Sequence, residues 1–141
     1  LRGGELWWLS VGDSRLFLYR GGALIPLNRR HNYGGELDTL SANGGLDADS
    51  ALTDPRRGEL TSYLGMGMLS LLDGNTEALP LLPGDRVLLT SDGVSEVLSL
   101  SELAETQRFP PEESARRVEA AVRAKARPHQ DNFTAVILEY A

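Results

Sequence analysis

Residues 86–93, RVLLTSDG, indicate how this chain folds and where its polar chemistry lies. Arg86 to Thr90 forms a short continuous apolar run, a pattern typical of a strand that is buried on both faces. The run ends at Ser91-Asp92-Gly93, where glycine allows the backbone to turn sharply beside the carboxylate. The sequence therefore predicts a strand that carries Asp92 to the rim of a sheet, held by rigid scaffold and open to solvent.

Two further aspartates occupy the same kind of position, where strand-like sequence meets a turn. Asp13 lies in the polar stretch Val11–Arg15, and Asp131 precedes Asn132 and the apolar closing segment Phe133–Tyr140. Taken singly, such an aspartate is most often only a turn residue. Carboxylates that converge at one sheet rim are nevertheless the ligands that Mg²⁺ and Mn²⁺ prefer. Read together, the three aspartates favour a metal site.

The composition is that of one globular domain. The chain has 141 residues, of which 41% are hydrophobic and 24% charged, and it contains no cysteine, which excludes disulfides and thiolate metal sites. Its net charge of −6 gives no basic surface of the kind that nucleic-acid binders use. The acidic charge suits hard cations, although it could equally serve only solubility. No apolar run approaches the roughly 20 residues that cross a bilayer, so we expect a cytoplasmic protein with neither a membrane nor a nucleic-acid partner.

The order of the predicted elements indicates an α+β protein with mostly antiparallel sheets and helices stacked outside them. A capping box at Ser99 and Glu102 predicts a helix over Leu100–Thr106, and Pro110-Pro111 suits the start of a second helix that ends near Ala126. The predicted strands are Glu5–Ser10, Arg15–Arg20, Ala23–Leu27, Thr61–Leu64 and Met68–Leu72 (broken at Gly65 and Gly67), Arg86–Thr90 and Phe133–Tyr140. Leu79–Leu82 leads to a turn at Pro83-Gly84.

Residues 29–59 form a long polar excursion between the strands. Within it we expect a short helix over Glu36–Ala42 and a second turn capped by Asp49 or Ser50. Since a histidine in a polar loop is most often solvated, we expect His31 to have a minor role at best, and His129 none. The neighbouring Arg56 and Arg57 could bind phosphate, but two charges in a polar loop usually form only a solvated face.

Several motifs, in order, resemble those of the metal-dependent type-2C (PPM family) protein serine/threonine phosphatases. The three that carry the candidate ligands are Ser10-Val-Gly-Asp-Ser-Arg15, the segment 82–93 (LPGDRVLLTSDG) and Gln130-Asp-Asn-Phe-Thr134. Between them, residues 29–31, 54–57 and 60–65 match the order of the family's motifs. Each motif alone is weak, but together they span essentially the whole chain.

This resemblance implies a four-layer αββα sandwich with metal ions at one end. It implies that Asp92 and Asp131 are catalytic ligands of two core Mn²⁺ or Mg²⁺ ions and that Asp13, with Asp92, holds a third ion. Asn132 and Gly93 would support these ligands, and residues 29–59 would form a flap beside the site. The implied activity is hydrolysis of phosphoserine and phosphothreonine in proteins by metal-activated water, with phosphorylated proteins and a serine/threonine kinase pathway as partners.

One departure from the family bears on all of these expectations. Family members carry an earlier segment with a metal-bridging aspartate in a DG motif and an arginine that binds phosphate, and neither can be placed here. We therefore expect residues 1–141 to be the C-terminal portion of a single domain whose N-terminal part is missing, and to be inactive alone. The alternative is a catalytically inactive phosphatase-like module that binds or regulates a partner.

Overall fold

The computed structural model describes all of residues 1–141. The strands are β1 (Glu5–Leu6), β2 (Leu9–Ser10), β3 (Arg15–Arg20), β4 (Ala23–Pro26), β5 (Asp73–Gly74), β6 (Leu79–Pro80), β7 (Arg86–Thr90) and β8 (Ala135–Glu139). The helices are α1 (Tyr33–Ala42), α2 (Ala48–Thr53), α3 (Asp92–Ser95), α4 (Leu100–Thr106) and α5 (Pro111–Ala124). None of the helices has both the length and the apolar character that crossing a membrane requires.

All strand pairs are antiparallel. The largest sheet has four strands in the order β4-β3-β7-β8, while β1 pairs with β6 and β2 pairs with β5. Helix α4 packs near β4, and α5 packs against β8. This arrangement confirms the predicted α+β architecture of antiparallel sheets flanked by helices.

The chain divides into two compact units. The first consists of residues 1–7, 14–28 and 75–141, and the second consists of residues 8–13 and 29–74. The four-stranded sheet and helices α3 to α5 lie in the first unit, whereas β2, β5, α1 and α2 lie in the second. The predicted single domain over residues 1–141, with residues 29–59 as a flap, stays a prediction.

One face of the four-stranded sheet forms the core of the first unit. Phe17 of β3 lies opposite Leu88 of β7, which lies opposite Ile137 of β8. Because opposite residues share a face of the sheet, these three side chains meet the apolar residues of the helical segments. Those residues are Val94, Val97, Leu98, Leu103, Val118 and Val122.

The other face of the same sheet is only partly covered. Leu16, Leu89 and Val136 lie opposite one another across β3, β7 and β8. Leu16 is buried, but Leu89 is 41% exposed and Val136 is 46% exposed. Within β7, Val87, Leu88 and Thr90 are buried, whereas Leu89 is exposed, so the predicted burial on both faces holds only in part. The prediction of a buried closing strand is wrong, because no residue of β8 is buried; β8 pairs with β7 alone.

The start of β7 is fixed by an ion pair. The carboxylate of Asp85 accepts hydrogen bonds from Nε and Nη2 of Arg20 at 2.9 and 2.5 Å and from the amide of Leu82 at 2.7 Å. Only 3% of Asp85 is exposed. The hydrogen bonds from the Arg20 guanidinium hold the pKa of the Asp85 carboxyl below its usual range. This contact ties β3 to the turn from which β7 emerges.

Both predicted helices of the first unit are present. The Ser99 hydroxyl accepts from the Glu102 amide at 3.3 Å, and the Glu102 carboxylate accepts from the Ser99 amide at 2.9 Å, so the predicted capping box is confirmed. Helix α5 starts at Pro111, as predicted. It ends at Ala124, two residues before the predicted end.

The second unit differs from its predicted elements in three places. Helix α1 begins at Tyr33 rather than Glu36, because Asn32 caps it by accepting from the Gly35 amide at 2.9 Å. Helix α2 is capped by Asp47, not by Asp49 or Ser50, since Asp47 accepts from the Ser50 amide at 2.8 Å.

The third difference is that the predicted strands over 61–64 and 68–72 are bends and turns in the structure. The chain does turn at Gly65 and Gly67, whose φ angles are 96° and 89°, but residues 61–64 and 68–72 beside them pair with no strand. The apolar pattern of this segment therefore reflects no sheet pairing.

Candidate metal centre

The register of β7 and β8 brings the turns of Asp92 and Asp131 side by side. The ladder ends at the pair Thr90 and Ala135. Beyond it, the Ser91 amide donates to the Thr134 carbonyl at 3.0 Å, and the Thr134 amide donates to the Ser91 hydroxyl at 3.0 Å. One backbone bond and one side-chain bond thus join the loops that hold the two aspartates.

Gly93 allows these two turns to touch. A Cβ atom at this position would lie 2.4 Å from the Asn132 carbonyl oxygen and 3.0 Å from the Cβ of Phe133. The Gln130 side-chain amide also donates to the Gly93 carbonyl at 3.1 Å. Glycine is required here because the neighbouring backbone occupies the space of a side chain.

Each of the two carboxylates is held by the backbone amide that follows it. Oδ1 of Asp92 accepts from the Gly93 amide at 2.8 Å, and Oδ1 of Asp131 accepts from the Asn132 amide at 2.7 Å. The second oxygen of each carboxylate makes no hydrogen bond, and neither carboxylate joins a salt bridge. Each aspartate thus keeps one oxygen available to a ligand.

Asp92 and Asp131 line the same cleft, whose volume is about 210 Å³. Its rim also carries Glu96, Arg127 and His129. No group of three or more His, Cys, Asp or Glu side chains is arranged to hold a metal ion. Two oxygen donors nevertheless fit Mg²⁺ or Mn²⁺, since Mg²⁺ commonly uses one or two carboxylates and retains several waters.

The other predicted site residues lie as follows. Asp13 lies in the turn between β2 and β3, after Gly12, and belongs to the second unit. Asn132 contributes its backbone amide to Asp131, while its side chain is exposed. His129 is exposed and has a φ angle of 60°. The assigned metal-binding and supporting roles of Asp13, Asn132 and Gly93 stay predictions.

The structure corrects the expectation that His31 is a solvated loop side chain. Only 4% of His31 is exposed, and its Nδ1 atom accepts from the Gly12 amide at 3.2 Å. The one signal in the sequence was that His31 closes the matched motif 29–31. The polar composition of the surrounding loop suggested an exposed side chain. Its burial could not be read from the local sequence, because the contact joins residues that lie 19 positions apart.

The paired arginines of the second unit are engaged in ion pairs. Arg56 contacts Asp54 at 2.8 Å, and Arg57 contacts Asp38 at 2.8 Å. Hydrogen bonding to Asp54 raises the pKa of the Arg56 guanidinium above its usual value. Both guanidinium groups therefore already have a carboxylate partner, although the Arg56 side chain is still 56% exposed.

Comparison with known proteins finds similar serine/threonine phosphatases. No family model matches the chain. “Probable protein phosphatase 2C 9” of Arabidopsis thaliana is 27% identical over 99% of this chain and 52% of its own length. The crystal structure of the Mycobacterium tuberculosis serine/threonine phosphatase PstP/Ppp is 30% identical, with a TM-score of 0.78, over 99% of this chain and 57% of that one.

The homologues of this chain are type-2C (PPM) serine/threonine phosphatases. The PstP catalytic domain in complex with two manganese ions is also similar, at 25% identity and a TM-score of 0.69, over 97% of this chain and 54% of that one. The chain spans about half the length of these PPM proteins. The predicted resemblance and fold are thereby confirmed.

Proposed function

We propose that the full-length protein is a metal-dependent phosphatase that hydrolyses phosphoserine and phosphothreonine in proteins. In this proposal Asp92 and Asp131 are ligands of two core Mn²⁺ or Mg²⁺ ions, and Asp13 is a ligand of a third. The observation that carries the proposal is the shared cleft of Asp92 and Asp131, in which each carboxylate keeps a free oxygen. The similarity to phosphatases over nearly the whole chain supports it.

The chain's own residues would hold and orient the metal ions. The Gly93 and Asn132 amides each fix one oxygen of an aspartate, which limits rotation of the carboxylate and leaves the other oxygen for a cation. When bound, the ions would supply an activated water and stabilise the charge that develops on the phosphoryl group. Gly93 keeps the two turns close enough to serve one centre.

The proposed partners follow from this chemistry. The substrates are phosphorylated proteins, and the enzyme would oppose a serine/threonine kinase in the cytoplasm. The exposed Arg127 on the rim of the cleft offsets part of the negative charge of Asp92, Asp131 and Glu96. The lining of the cleft therefore carries both positive and negative charge, which repels an anionic phosphoester less than carboxylates alone would.

Substitution of the two ligands tests the proposal. The full-length protein should hydrolyse an aryl phosphate only with added Mn²⁺ or Mg²⁺. Asp92→Asn and Asp131→Asn should each lower kcat/KM about 100-fold or more, because each removes a charge that holds the metal. Asp49→Asn is the matched control, since Asp49 is an exposed aspartate on α2. Wild-type turnover in excess chelator would refute the metal dependence, and no turnover under any metal would favour the inactive module.

A further inference from the structure

The side chain of Gln130 joins the two turns that carry Asp92 and Asp131. Its Nε2 group donates to the Gly93 carbonyl, in the turn of Asp92, at 3.1 Å. The same group donates to the Asp131 carbonyl at 3.0 Å. Gly93 lies 37 positions away along the chain, so this contact links two segments that the sequence separates widely. One amide group therefore connects the backbones of both aspartate turns.

The two carbonyl acceptors fix the orientation of the Gln130 amide. A glutamine side chain carries two N–H donors on Nε2 and an acceptor on Oε1. The opposite orientation would set Oε1 against two carbonyl oxygens, which repel it. In the observed orientation Oε1 is buried and accepts from no group of the protein, and a buried acceptor without a partner is unfavourable. The two donor contacts, rather than the oxygen, thus determine how this side chain lies.

The loop before Asp131 has little other support. Gln130 and Asp131 line two clefts, one of about 210 Å³ and one of about 620 Å³, and the Asp131 side chain is exposed. His129 has a φ angle of 60°, which residues other than glycine adopt rarely. Such a backbone conformation persists only where surrounding contacts hold it. The hydrogen bonds of the Gln130 amide are contacts of this kind.

We infer that Gln130 is a positioning residue that sets the affinity of the Asp92 and Asp131 centre for divalent metal. The inference rests on the proposed function, in which both aspartates are ligands of the core ions. The separation of the two turns determines whether both carboxylates can serve one centre, and the Gln130 amide ties one turn to the other. Without that amide, each carboxylate keeps its own backbone hydrogen bond, but the two turns can move apart.

The chain offers a matched control for a change at Gln130. Gln107 is the only other glutamine. It is 1% exposed, its Nε2 group donates to the Thr106 hydroxyl at 2.8 Å, and it lines neither of the two clefts. A substitution there removes a buried amide from the same unit without touching the aspartate turns.

The test is Mn²⁺ binding to the full-length protein, measured by calorimetry, with the melting temperature of each variant as a second readout. Gln130→Met keeps a side chain of similar length but removes both donors, Gln107→Met makes the same change at the control position, and Asp92→Asn removes a ligand charge. Changes to groups that support metal ligands typically weaken metal binding about 10- to 100-fold. We expect about tenfold or greater weakening in Gln130→Met and wild-type affinity in Gln107→Met, even where the melting temperature of Gln107→Met falls.

Amide hydrogen exchange in the absence of metal tests the link between the turns directly. The Thr134 amide donates to the Ser91 hydroxyl at 3.0 Å, between the two loops. It should exchange faster in Gln130→Met than in the wild type, and at the wild-type rate in Gln107→Met. Unchanged protection of this amide in Gln130→Met would overturn the inference.

A shorter amide side chain keeps the inference testable if Gln130→Met does not fold. Gln130→Asn retains the amide but is one carbon shorter, which is too short to keep both carbonyl contacts. Weaker Mn²⁺ binding in Gln130→Asn supports the positioning role, and wild-type affinity there overturns it.

The outcomes separate this inference from the proposed function. If Asp92→Asn loses Mn²⁺ while Gln130→Met binds it as the wild type does, the positioning role is wrong and the metal assignment stands. Equal weakening in Gln130→Met and Gln107→Met would indicate a general effect on the fold and would also overturn the inference. If the wild type and Asp92→Asn bind Mn²⁺ equally, the metal assignment itself fails and the inference falls with it.

Discussion

At the scale of single residues, Gly93 shows how one missing side chain shapes the candidate centre. The Asn132 carbonyl oxygen lies 2.4 Å from the place where a Cβ would stand. Gly93→Ala must therefore push the Asp92 and Asp131 turns apart. We expect this variant to bind Mn²⁺ at least about tenfold more weakly, in line with changes to supporting residues. Gly58→Ala is the control, because a Cβ there meets nothing within 4 Å.

The Asp85 carboxylate predicts a dependence of stability on pH. Arg20 lowers its pKa in the folded state, so the ionised form stabilises the fold. This contribution is fully present above the unfolded-state pKa of about 4 and is lost as pH falls through the lower folded-state pKa. Asp85→Asn should cost about 2–3 kcal/mol at neutral pH, the typical loss for a buried, charged hydrogen bond.

Denaturant unfolding of the full-length protein at several pH values measures this difference. The gap in unfolding free energy between wild type and Asp85→Asn should narrow below about pH 4. A gap that stays constant down to strongly acidic pH would contradict the assignment of the pKa shift to Asp85.

At the scale of elements, the capping box of α4 is a local stabilising device. Ser99→Ala removes the hydroxyl that accepts from the Glu102 amide and should lower the free energy of unfolding by about 1 kcal/mol. Ser101→Ala makes the same chemical change where the hydroxyl contacts only Ser99. Thermal melts of both variants measure the loss of stability in each. An equal loss of stability in Ser99→Ala and Ser101→Ala would show that the cap itself contributes nothing.

The elements that local patterns encode were predictable, and those set by distant contacts were not. The capping box, the Pro111 helix start and the apolar β7 run all have short-range signatures. The strands predicted over 61–64 and 68–72 are absent because apolar content alone does not reveal whether a segment pairs with another strand. The burial of His31 and the exposure of Leu89 depend on partners far away in sequence. The convergence of Asp92 and Asp131 was predicted from the strand ends, and the β7–β8 register explains it.

At the scale of the whole molecule, the exposed sheet face predicts association. Leu89, Val136 and Leu138 are each more than 40% exposed on one face, next to the free edge of β8. Such edges pair readily with other chains. We expect residues 1–141 expressed alone to be aggregated, partly unfolded or folded as an intertwined oligomer.

Light scattering tests this expectation. Val136→Lys should reduce association because a charge on an edge strand blocks pairing, whereas Leu52→Lys on α2 should not. A monodisperse wild-type monomer with a sharp cooperative melt would contradict the expected association.

The central claim is that Asp92 and Asp131 hold metal in one centre. Crystals of the full-length protein grown with Mn²⁺, measured at the manganese absorption edge, test it most directly. We predict anomalous peaks within about 2.0–2.2 Å of the free oxygens of both aspartates, the usual range for small divalent cations. Manganese bound elsewhere, with both carboxylates uncoordinated, would contradict the claim.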